Sequence, residues 1–319
     1  MRILFAGTPA IAIPSLDALR QAGHTPVAVL TSPDTAQGRK RKITPSPVKE
    51  WALAAGVPVV QPPRLNSTAR DEVGVYQPDL LVSVAYGRIF GPRFLELFDR
   101  GGVNVHPSLL PRHRGPSPIQ AAILAGDPTT GVTVQRIAQE VDAGDILAQG
   151  QIALRGEETA AELHHTLGAL GAQLLATVVA QIAAGRERGQ PQDAAAATWC
   201  HLITREDGQI TWNETAAEIS RMVRALNPWP GVRCRWDTGE LHIIEATVAA
   251  QRDVVSNPAE PPRPPGTVLG VDRTRGILVQ TKTDVLCVTR LKAQSRKEMD
   301  FRSFLNGHST IIGNVLEQA

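Results

Sequence analysis

The sequence has few cysteines, and they lie far apart. Cys200, Cys234 and Cys287 are the only three among 319 residues. An odd number without metal-ligand spacing argues against a disulfide framework and against a cysteine-based metal site. We expect reduced, partly buried thiols, as in a cytosolic enzyme.

Long apolar runs and a strong charge imbalance are also missing. No stretch approaches the roughly 18 uninterrupted apolar residues of a membrane span, and Gly7-Thr8-Pro9 interrupts the apolar start before it resembles a signal peptide. Lys and Arg total 33 against 31 acidic residues, a net charge of +2. We therefore expect a cytoplasmic protein without membrane association. Nothing demands an oligomer, so we expect a monomer. Any RNA partner must be bound by local clusters of charge.

Short apolar runs alternate with helical patterns in the first half of the chain. Strands are predicted at residues 2–6, 27–31, 57–61, 80–85 and 103–106, and helices at 13–22, 48–55, 92–97 and 159–184. Continuous apolarity within the strands predicts a mostly parallel sheet covered on both faces. We therefore expect a Rossmann-like α/β domain over residues 1–189. No Gly-x-Gly-x-x-Gly follows the first strand, which argues against a nicotinamide or flavin cofactor.

The chain changes character after the long helix. Residues 190–204 have the composition of a linker, and residues 205–319 form the second predicted domain. Its strands, predicted at 231–236, 241–248, 266–271, 276–281 and 285–291, are short and separated by Gly and Pro. This pattern favours a small, OB-like β-barrel, with the proline-rich tract at 257–266 as one of its loops.

Polar side chains gather at the end of the strand at 103–106. In open α/β sheets, ligands bind beyond the carboxyl ends of the strands. Asn104 and His106 are two residues apart, so their side chains leave the same face of the sheet. An amide can donate to an oxyanion, and an imidazole can donate, accept or carry a proton. Alone, the pair is equally consistent with a hydrogen bond at a strand end.

A carboxylate from a later turn strengthens the case. Strands predicted at 132–137 and 146–149 flank Asp142-Ala143-Gly144-Asp145, and this excursion can return Asp142 to His106. Asp142 could then orient the imidazole and stabilise its charged form. Asp145 competes for the role, but a carboxylate that caps the turn explains it better.

The set lacks a nucleophile and a metal site. Ser108 is the only nearby hydroxyl in its loop and lies in a Pro-bounded turn, with no Gly-x-Ser-x-Gly elbow. His106 and His113 have no third ligand at useful spacing, so no metal is expected. Direct transfer of a small acyl group to an amine fits better, because Asn104 and His106 can hydrogen-bond the oxyanion of the intermediate.

These motifs resemble a known family. The run Asn-Val-His-Pro-Ser-Leu-Leu-Pro at 104–111, with Asp-Ala-Gly-Asp at 142–145, is similar to the folate-dependent formyltransferase superfamily. The resemblance implies 10-formyltetrahydrofolate as the formyl donor and Asn104, His106 and Asp142 as catalytic residues. It also implies a folate site lined by Ser108, Leu109, Leu110 and Pro111, with Tyr86 and Gly87 nearby.

A basic segment indicates the acceptor. Residues 33–49 contain four consecutive cations, Arg39, Lys40, Arg41 and Lys42, between Gly and Pro residues. In an arbitrary protein this would be a solvated surface loop, but here it leaves the active edge of the sheet after the strand at 27–31. It resembles the tRNA-acceptor loop of the family members that formylate initiator methionyl-tRNA. That resemblance implies Arg39 as the main contact to the acceptor end of the tRNA.

The second domain supports the same branch of the family. Arg-Ala-Leu-Asn-Pro-Trp-Pro-Gly at 224–231 resembles its carboxy-terminal signature, in which we expect Trp229 to pack the turn. Arg290, Lys292, Arg296 and Lys297 form a basic cluster. Since OB-like folds often support nucleic-acid contact, we expect this domain to bind tRNA.

Two other hypotheses stay open. Pro107 and the run at 113–117 look more like the hydrolase domain of formyltetrahydrofolate dehydrogenase. Hydrolysis of formyltetrahydrofolate, or formylation of a small amine, is therefore the second hypothesis. A non-catalytic RNA-binding protein built on the same fold is the third, and the intact set of Asn104, His106 and Asp142 argues against it.

Overall fold

The computed structural model describes residues 1–37, 42–237, 239–249 and 263–319. Its helices are α1 (Ile13–Gln21), α2 (Pro47–Ala55), α3 (Ser67–Gly74), α4 (Pro92–Leu95), α5 (Pro118–Ala125), α6 (Ala160–Ala183), α7 (Ala216–Leu226) and α8 (Phe301–Gly307). The strands are β1 (Ile3–Gly7), β2 (Ala28–Leu30), β3 (Thr35–Gln37), β4 (Lys42–Thr44), β5 (Val59–Val60), β6 (Leu80–Val84), β7 (Gly102–His106), β8 (Thr129–Arg136), β9 (Ile146–Ala153), β10 (Val232–Trp236), β11 (Gly239–Val248), β12 (Val268–Asp272), β13 (Gly276–Gln280), β14 (Val285–Ala293), β15 (Met299–Asp300) and β16 (Glu317–Gln318).

The chain divides into two compact units. The first holds Met1–Ala122, Pro128–Leu154 and Ala161–His201. The second holds Ile123–Asp127, Arg155–Ala160 and Leu202–Ala319. Most of the predicted linker at 190–204 therefore packs with the first unit, and the predicted boundaries at 189 and 205 stay predictions.

A seven-stranded sheet organises the first unit, in the order β5-β2-β1-β6-β7-β8-β9. The pairs from β5 to β7 are parallel, and β8 and β9 continue the sheet antiparallel. Every residue of β1, β2 and β6 is buried, which explains their continuous apolarity. The predicted Rossmann-like, mostly parallel sheet is confirmed.

Helix α6 lies against this sheet. A Cβ on Gly171 would come within 2.8 Å of the Val105 side chain, so the glycine lets the helix approach β7 closely. Leu163, Leu167 and Ile182 are buried. By length and mean hydropathy α6 could also span a membrane, although Gln173, Thr177 and Gln181 interrupt its apolar residues. The burial of its apolar side chains accounts for that composition in a core helix.

The basic segment begins and ends in a short hairpin. Strands β3 and β4 pair antiparallel, with Thr35 opposite Thr44, where the sequence indicated only a loop. The backbone pairing explains why these polar residues are extended without an apolar pattern. Residues 38–41, which include Arg39, Lys40 and Arg41, lie outside the described residues.

The second unit contains an antiparallel sheet in the order β12-β13-β14-β11-β10-β16, with β15 paired to β14. Chain segments next to its two edges also bond to each other. The Val268 amide donates to the Asn314 carbonyl at 2.9 Å, and the Gly313 amide donates to the Val268 carbonyl at 2.9 Å. The sheet thus curls into the small barrel that the short strands predicted.

The turn after α7 differs from the expectation. Trp229 is 62% exposed, so the prediction that its ring packs the turn is wrong. The Asn227 amide holds this turn instead, donating to the carbonyls of Val223, Ile243 and Ile244 at 3.0–3.1 Å. The prolines, with cis bonds before Pro228 and Pro230, fix the backbone while the indole faces outward.

No disulfide joins Cys200, Cys234 and Cys287, all of which lie in the described part of the chain, and the three thiols should differ in reactivity. Complete burial raises the pKa of Cys234 to about 12, so at pH 8 only about one thiol in 10⁴ is the reactive thiolate. We expect iodoacetamide to leave Cys234 unmodified in the native protein and to modify it in urea, as followed by mass spectrometry. Equal alkylation in both states would contradict this burial.

Candidate active site

Strand β7 brings Asn104 and His106 to the carboxyl edge of the sheet. Asn104 lies between Ser83 of β6 and Gln135 of β8, and His106 is opposite Thr133 of β8. The His106 side chain is buried, whereas Asn104 is half-buried. Asn104 therefore lies between two neighbouring strands, whereas His106, at the end of β7, is paired with β8 alone.

The Asp142 carboxylate is the centre of the site. Its Oδ1 accepts from Gln135 Nε2 at 2.9 Å and from Asn104 Nδ2 at 3.3 Å. Its Oδ2 accepts from the Gly115 amide at 2.9 Å and lies 3.5 Å from His106 Nδ1. Since an amide, an imidazole and a carboxylate converge here, the turn between β8 and β9 does return Asp142 to His106.

His106 faces acceptors on both sides. Its Nε2 lies 2.9 Å from the carbonyl oxygen of His113, and its Nδ1 faces the Asp142 carboxylate. A neutral imidazole has one N–H and can donate to only one of these oxygens, whereas an imidazolium can donate to both. Which of the two oxygens accepts from a neutral ring therefore depends on its tautomer.

Asp145 occupies a different place from Asp142. Its side chain is exposed, and its carboxylate lies beside Gly189. Its backbone carbonyl accepts from the Arg136 amide at 2.9 Å, closing the turn. The backbone of Asp145 thus closes the turn, and the turn-capping role of its carboxylate stays a prediction.

Hydrogen bonds within the protein engage the polar groups of Ser108 and Leu110 in the loop after His106. Ser108 Oγ donates to the Arg112 carbonyl at 2.7 Å, and Ser108 is fully buried. Thr133 Oγ1 donates to the Ser108 carbonyl and accepts from the Leu110 amide, while the Leu110 carbonyl accepts from Gln149. Ser108 is thus engaged within the loop and is not presented as a nucleophile.

The remaining predicted folate residues differ in exposure. Leu109 and Pro111 are half-buried, and Leu110 is buried ahead of a cis bond to Pro111. Tyr86 is buried and its ring stacks on Phe90, with centroids 5.4 Å apart. Burial raises the pKa of the Tyr86 hydroxyl, whereas the nearby Arg88 guanidinium, 5.8 Å from the ring centroid, acts to lower it. Gly87 has a φ of 81° and open space around it.

An ion pair fastens the base of the basic hairpin. Asp34 precedes β3, Lys49 follows β4, and Lys49 Nζ lies 2.6 Å from Asp34 Oδ2. Gln61 donates to the other carboxylate oxygen at 2.8 Å. The bonds from Gln61 and Lys49 lower the pKa of Asp34. The hairpin therefore leaves the sheet from a fixed base near the ends of β2 and β5.

The predicted basic cluster of the second unit is partly neutralised. Arg290 pairs with Glu298 at 3.1 Å and with Glu245 at 3.4 Å. Arg296 and Lys297 are exposed, and Lys292 is half-buried. The charges at 292, 296 and 297 are therefore the stronger candidates for an RNA contact.

Sequence reasoning missed the polar groups that support Asp142. Gln135, Gly115 and Gln192 all contact its side chain or backbone. Gln135 could have been predicted, because it lies opposite Asn104 on β8, the antiparallel neighbour of β7. Gln192 lies in a tract with the composition of a linker, and no local signal marked it.

Two family models cover most of the sequence. "Formyl transferase" matches residues 1–179, and "Formyl transferase, C-terminal domain" matches residues 202–309. The chain belongs to the formyl transferase family. The second match adds that residues 202–309, which include most of the barrel, are the carboxy-terminal domain of this family.

Curated relatives are similar along the whole chain. A methionyl-tRNA formyltransferase of Treponema denticola is 40% identical over 325 residues, covering 99% of this chain and 100% of the relative. A methionyl-tRNA formyltransferase of Methylococcus capsulatus is 40% identical over 310 residues, covering 97% of each.

Solved structures share the formyltransferase fold. HypX from Aquifex aeolicus, in complex with tetrahydrofolic acid, has a TM-score of 0.64 at 17% identity; the match covers 96% of this chain and 47% of HypX. An N-formyltransferase from Helicobacter canadensis, with folinic acid and dTDP-3-aminofucose, also has a TM-score of 0.64 at 17% identity, covering 90% of this chain and 98% of that chain.

Replacing Gly115 with Ala should disturb the candidate active site. Gly115 has a φ of 114°, and a Cβ would come within 2.4 Å of the Cys200 carbonyl, so the amide that donates to Asp142 must shift. We expect Gly115→Ala to lower kcat by about 10-fold or more, since even small misplacement at a site is costly. Gly23→Ala is the control, because Gly23 also has a positive φ but meets nothing within 4 Å. Equal activity of the two variants would contradict this.

Proposed function

We propose that this protein transfers the formyl group of 10-formyltetrahydrofolate to the α-amino group of initiator methionyl-tRNA. The observation that carries the proposal is the convergence of Asn104, His106 and Asp142 at one sheet edge. It occurs in a chain about 40% identical, over nearly its full length, to methionyl-tRNA formyltransferases. The product would be formylmethionyl-tRNA for translation initiation.

The three side chains would divide the chemistry. The amine nitrogen attacks the formyl carbon, and the carbonyl oxygen becomes an oxyanion. Asn104 donates a hydrogen bond to this oxygen and His106 lends positive charge beside it. The carbon–N10 bond then breaks, and one proton passes from the attacking amine to N10. We assign this proton to the His106–Asp142 pair, whose carboxylate is the acceptor.

The residues near the predicted folate site fit such a donor. The Tyr86 hydroxyl is buried beside the Arg88 guanidinium, and this polar pair would hydrogen-bond a polar edge of the donor. Gly87 is exposed with open space around it. The hydrogen-bonded loop of Ser108, Leu109, Leu110 and Pro111 would form the side of the site that contacts the pterin. Two structural relatives hold tetrahydrofolic or folinic acid.

Substrate comparison tests the proposal. The purified protein is given 10-formyltetrahydrofolate with methionyl initiator tRNA, free methionine or an amino-sugar nucleotide, and the formylated product is identified by mass spectrometry. We expect product from the charged tRNA alone. Formylation of the sugar would favour the small-amine hypothesis. Rapid release of tetrahydrofolate without tRNA would favour the hydrolase, which the resemblance at Pro107 also suggests.

The basic segment is assigned to the acceptor end of the tRNA. Arg39, Lys40, Arg41 and Lys42 would contact phosphates from the fixed base formed by Asp34 and Lys49. We expect Arg39→Ala to raise the KM for methionyl-tRNA about 10-fold and to lower kcat, with folate affinity unchanged. Arg186→Ala, at an exposed residue after α6, is the control. A loss of folate affinity would move this segment to the donor site.

A further inference from the structure

Residues 190–200, which include a short 3-10 helix at Ala194–Ala196, pass along the site and are here named the strap. Gln190 exchanges both backbone bonds with Ile146 at 2.8 and 2.9 Å. Further along, the Thr198 carbonyl accepts from the Arg114 amide at 2.9 Å, and the Cys200 amide donates to the Arg114 carbonyl at 2.8 Å. At one end the strap is thus bonded to Ile146, which follows the Asp142 turn. At the other end it is bonded to the loop that carries Arg114 and Gly115.

Gln192 is the side chain of the strap that meets the Asp142 turn. Its Nε2 donates to the Asp142 carbonyl at 2.9 Å and to the Gly144 carbonyl at 2.8 Å, and lies 3.2 Å from Gln135 Oε1. Its Oε1 accepts from Arg114 Nη2 at 2.9 Å and Nε at 3.2 Å. Both ends of the amide are therefore used, each toward a different loop of the site.

The turn that Gln192 holds is unfavourable on its own. Asp142 has a φ of 54°, a left-handed conformation that strains residues other than glycine. Two residues later, a Cβ on Gly144 would come within 1.9 Å of the Arg136 carbonyl, so the turn is pressed against β8. Gln135, which donates to the Asp142 carboxylate, also contacts Gln192. Gln192 thus supports both the backbone of Asp142 and a partner of its side chain.

We propose that Gln192 is a positioning residue for formyl transfer: by donating to the Asp142 and Gly144 carbonyls, it holds the Asp142 carboxylate against His106 and Asn104. This inference rests on the proposed function. It predicts that the bonds donated by Gln192 govern the chemical step, while the bond it accepts from Arg114 secures the neighbouring loop.

Two variants test separately the bonds that Gln192 donates and the bonds that it accepts. Gln192→Met keeps the length of the side chain and removes every hydrogen bond. Gln192→Glu keeps the acceptor for Arg114 but cannot donate to the carbonyls. Gln190→Met is the matched control, because Gln190 lies in the same strap with an exposed side chain. For each protein, kcat is expressed per folate-binding site, measured by titration, so that loss of folded protein is not mistaken for slower chemistry.

We expect both Gln192 variants to lower kcat by about 10- to 100-fold, with the KM for methionyl-tRNA and the Kd for folate within about twofold of wild type. Gln190→Met should match wild type. Wild-type kcat in either Gln192 variant would overturn the positioning role, because neither side chain can donate to the carbonyls. So would an equal loss in Gln190→Met, or a loss explained by fewer folate sites. A wild-type protein unable to transfer formyl would instead refute the proposed function, and this inference with it.

Discussion

Replacing Asp142 with Asn should lower kcat of formyl transfer by about 10³- to 10⁴-fold, the upper range for loss of a positioned acid–base group. The carboxylate accepts from Gly115, Gln135 and Asn104 and faces His106. An amide of the same shape would turn its NH₂ toward at least one of these donors. It would also remove the charge that stabilises a protonated His106 and the group that accepts the amine proton.

Single-turnover kinetics with saturating folate and methionyl-tRNA measures this loss at the chemical step. Asp145→Asn is the matched control, since Asp145 is exposed in the same turn. We expect it to retain wild-type kcat within about threefold, as surface substitutions usually do little. Comparable losses in the two variants would show that the turn, and not the Asp142 carboxylate, is required.

The second large effect should come from Asn104. Its amide donates to Asp142 Oδ1 at 3.3 Å and has a second N–H for the developing oxyanion. Asn104→Leu, which keeps the volume and removes both donors, should lower kcat by about 10²- to 10³-fold, equivalent to about 2.7–4 kcal/mol.

Gln135→Leu is the comparison that isolates the oxyanion. Gln135 donates to the same Asp142 oxygen at 2.9 Å, so its loss removes support for the carboxylate without removing an oxyanion donor. We expect kcat of Gln135→Leu to exceed that of Asn104→Leu by at least about 10-fold. Equal rates would mean that Asn104 acts only by holding Asp142.

Much of the first unit could be predicted because its signals are local. Continuous apolar runs marked β1, β2, β6 and β7, which are buried between layers. The two-residue spacing of Asn104 and His106 predicted that their side chains lie on the same face of the sheet, without knowledge of the neighbouring strands. The position of Asp142 could also be predicted, because a tight turn between two paired strands lies at the edge of their sheet.

The parts that could not be predicted depend on contacts between distant residues. The apolar residues of the strap are mostly alanines, and Trp199 is exposed, so its composition is that of a linker. Its backbone bonds with Arg114 and Ile146 nevertheless tie it to the site. Hairpin β3–β4 is held by backbone pairing, and Ala36 opposite Ile43 is the one apolar pair among its three. Trp229 looked like a packing residue because aromatic side chains usually are, but the Asn227 amide already satisfies that turn.

The most direct test of the account is the stoichiometry of a single reaction mixture. Tetrahydrofolate, formate and formylmethionyl-tRNA are measured together after the wild-type protein has consumed a limiting amount of 10-formyltetrahydrofolate. Direct transfer predicts one formylmethionyl-tRNA for each tetrahydrofolate and no formate. Tetrahydrofolate and formate released in equal amounts, with the tRNA unformylated, would contradict it.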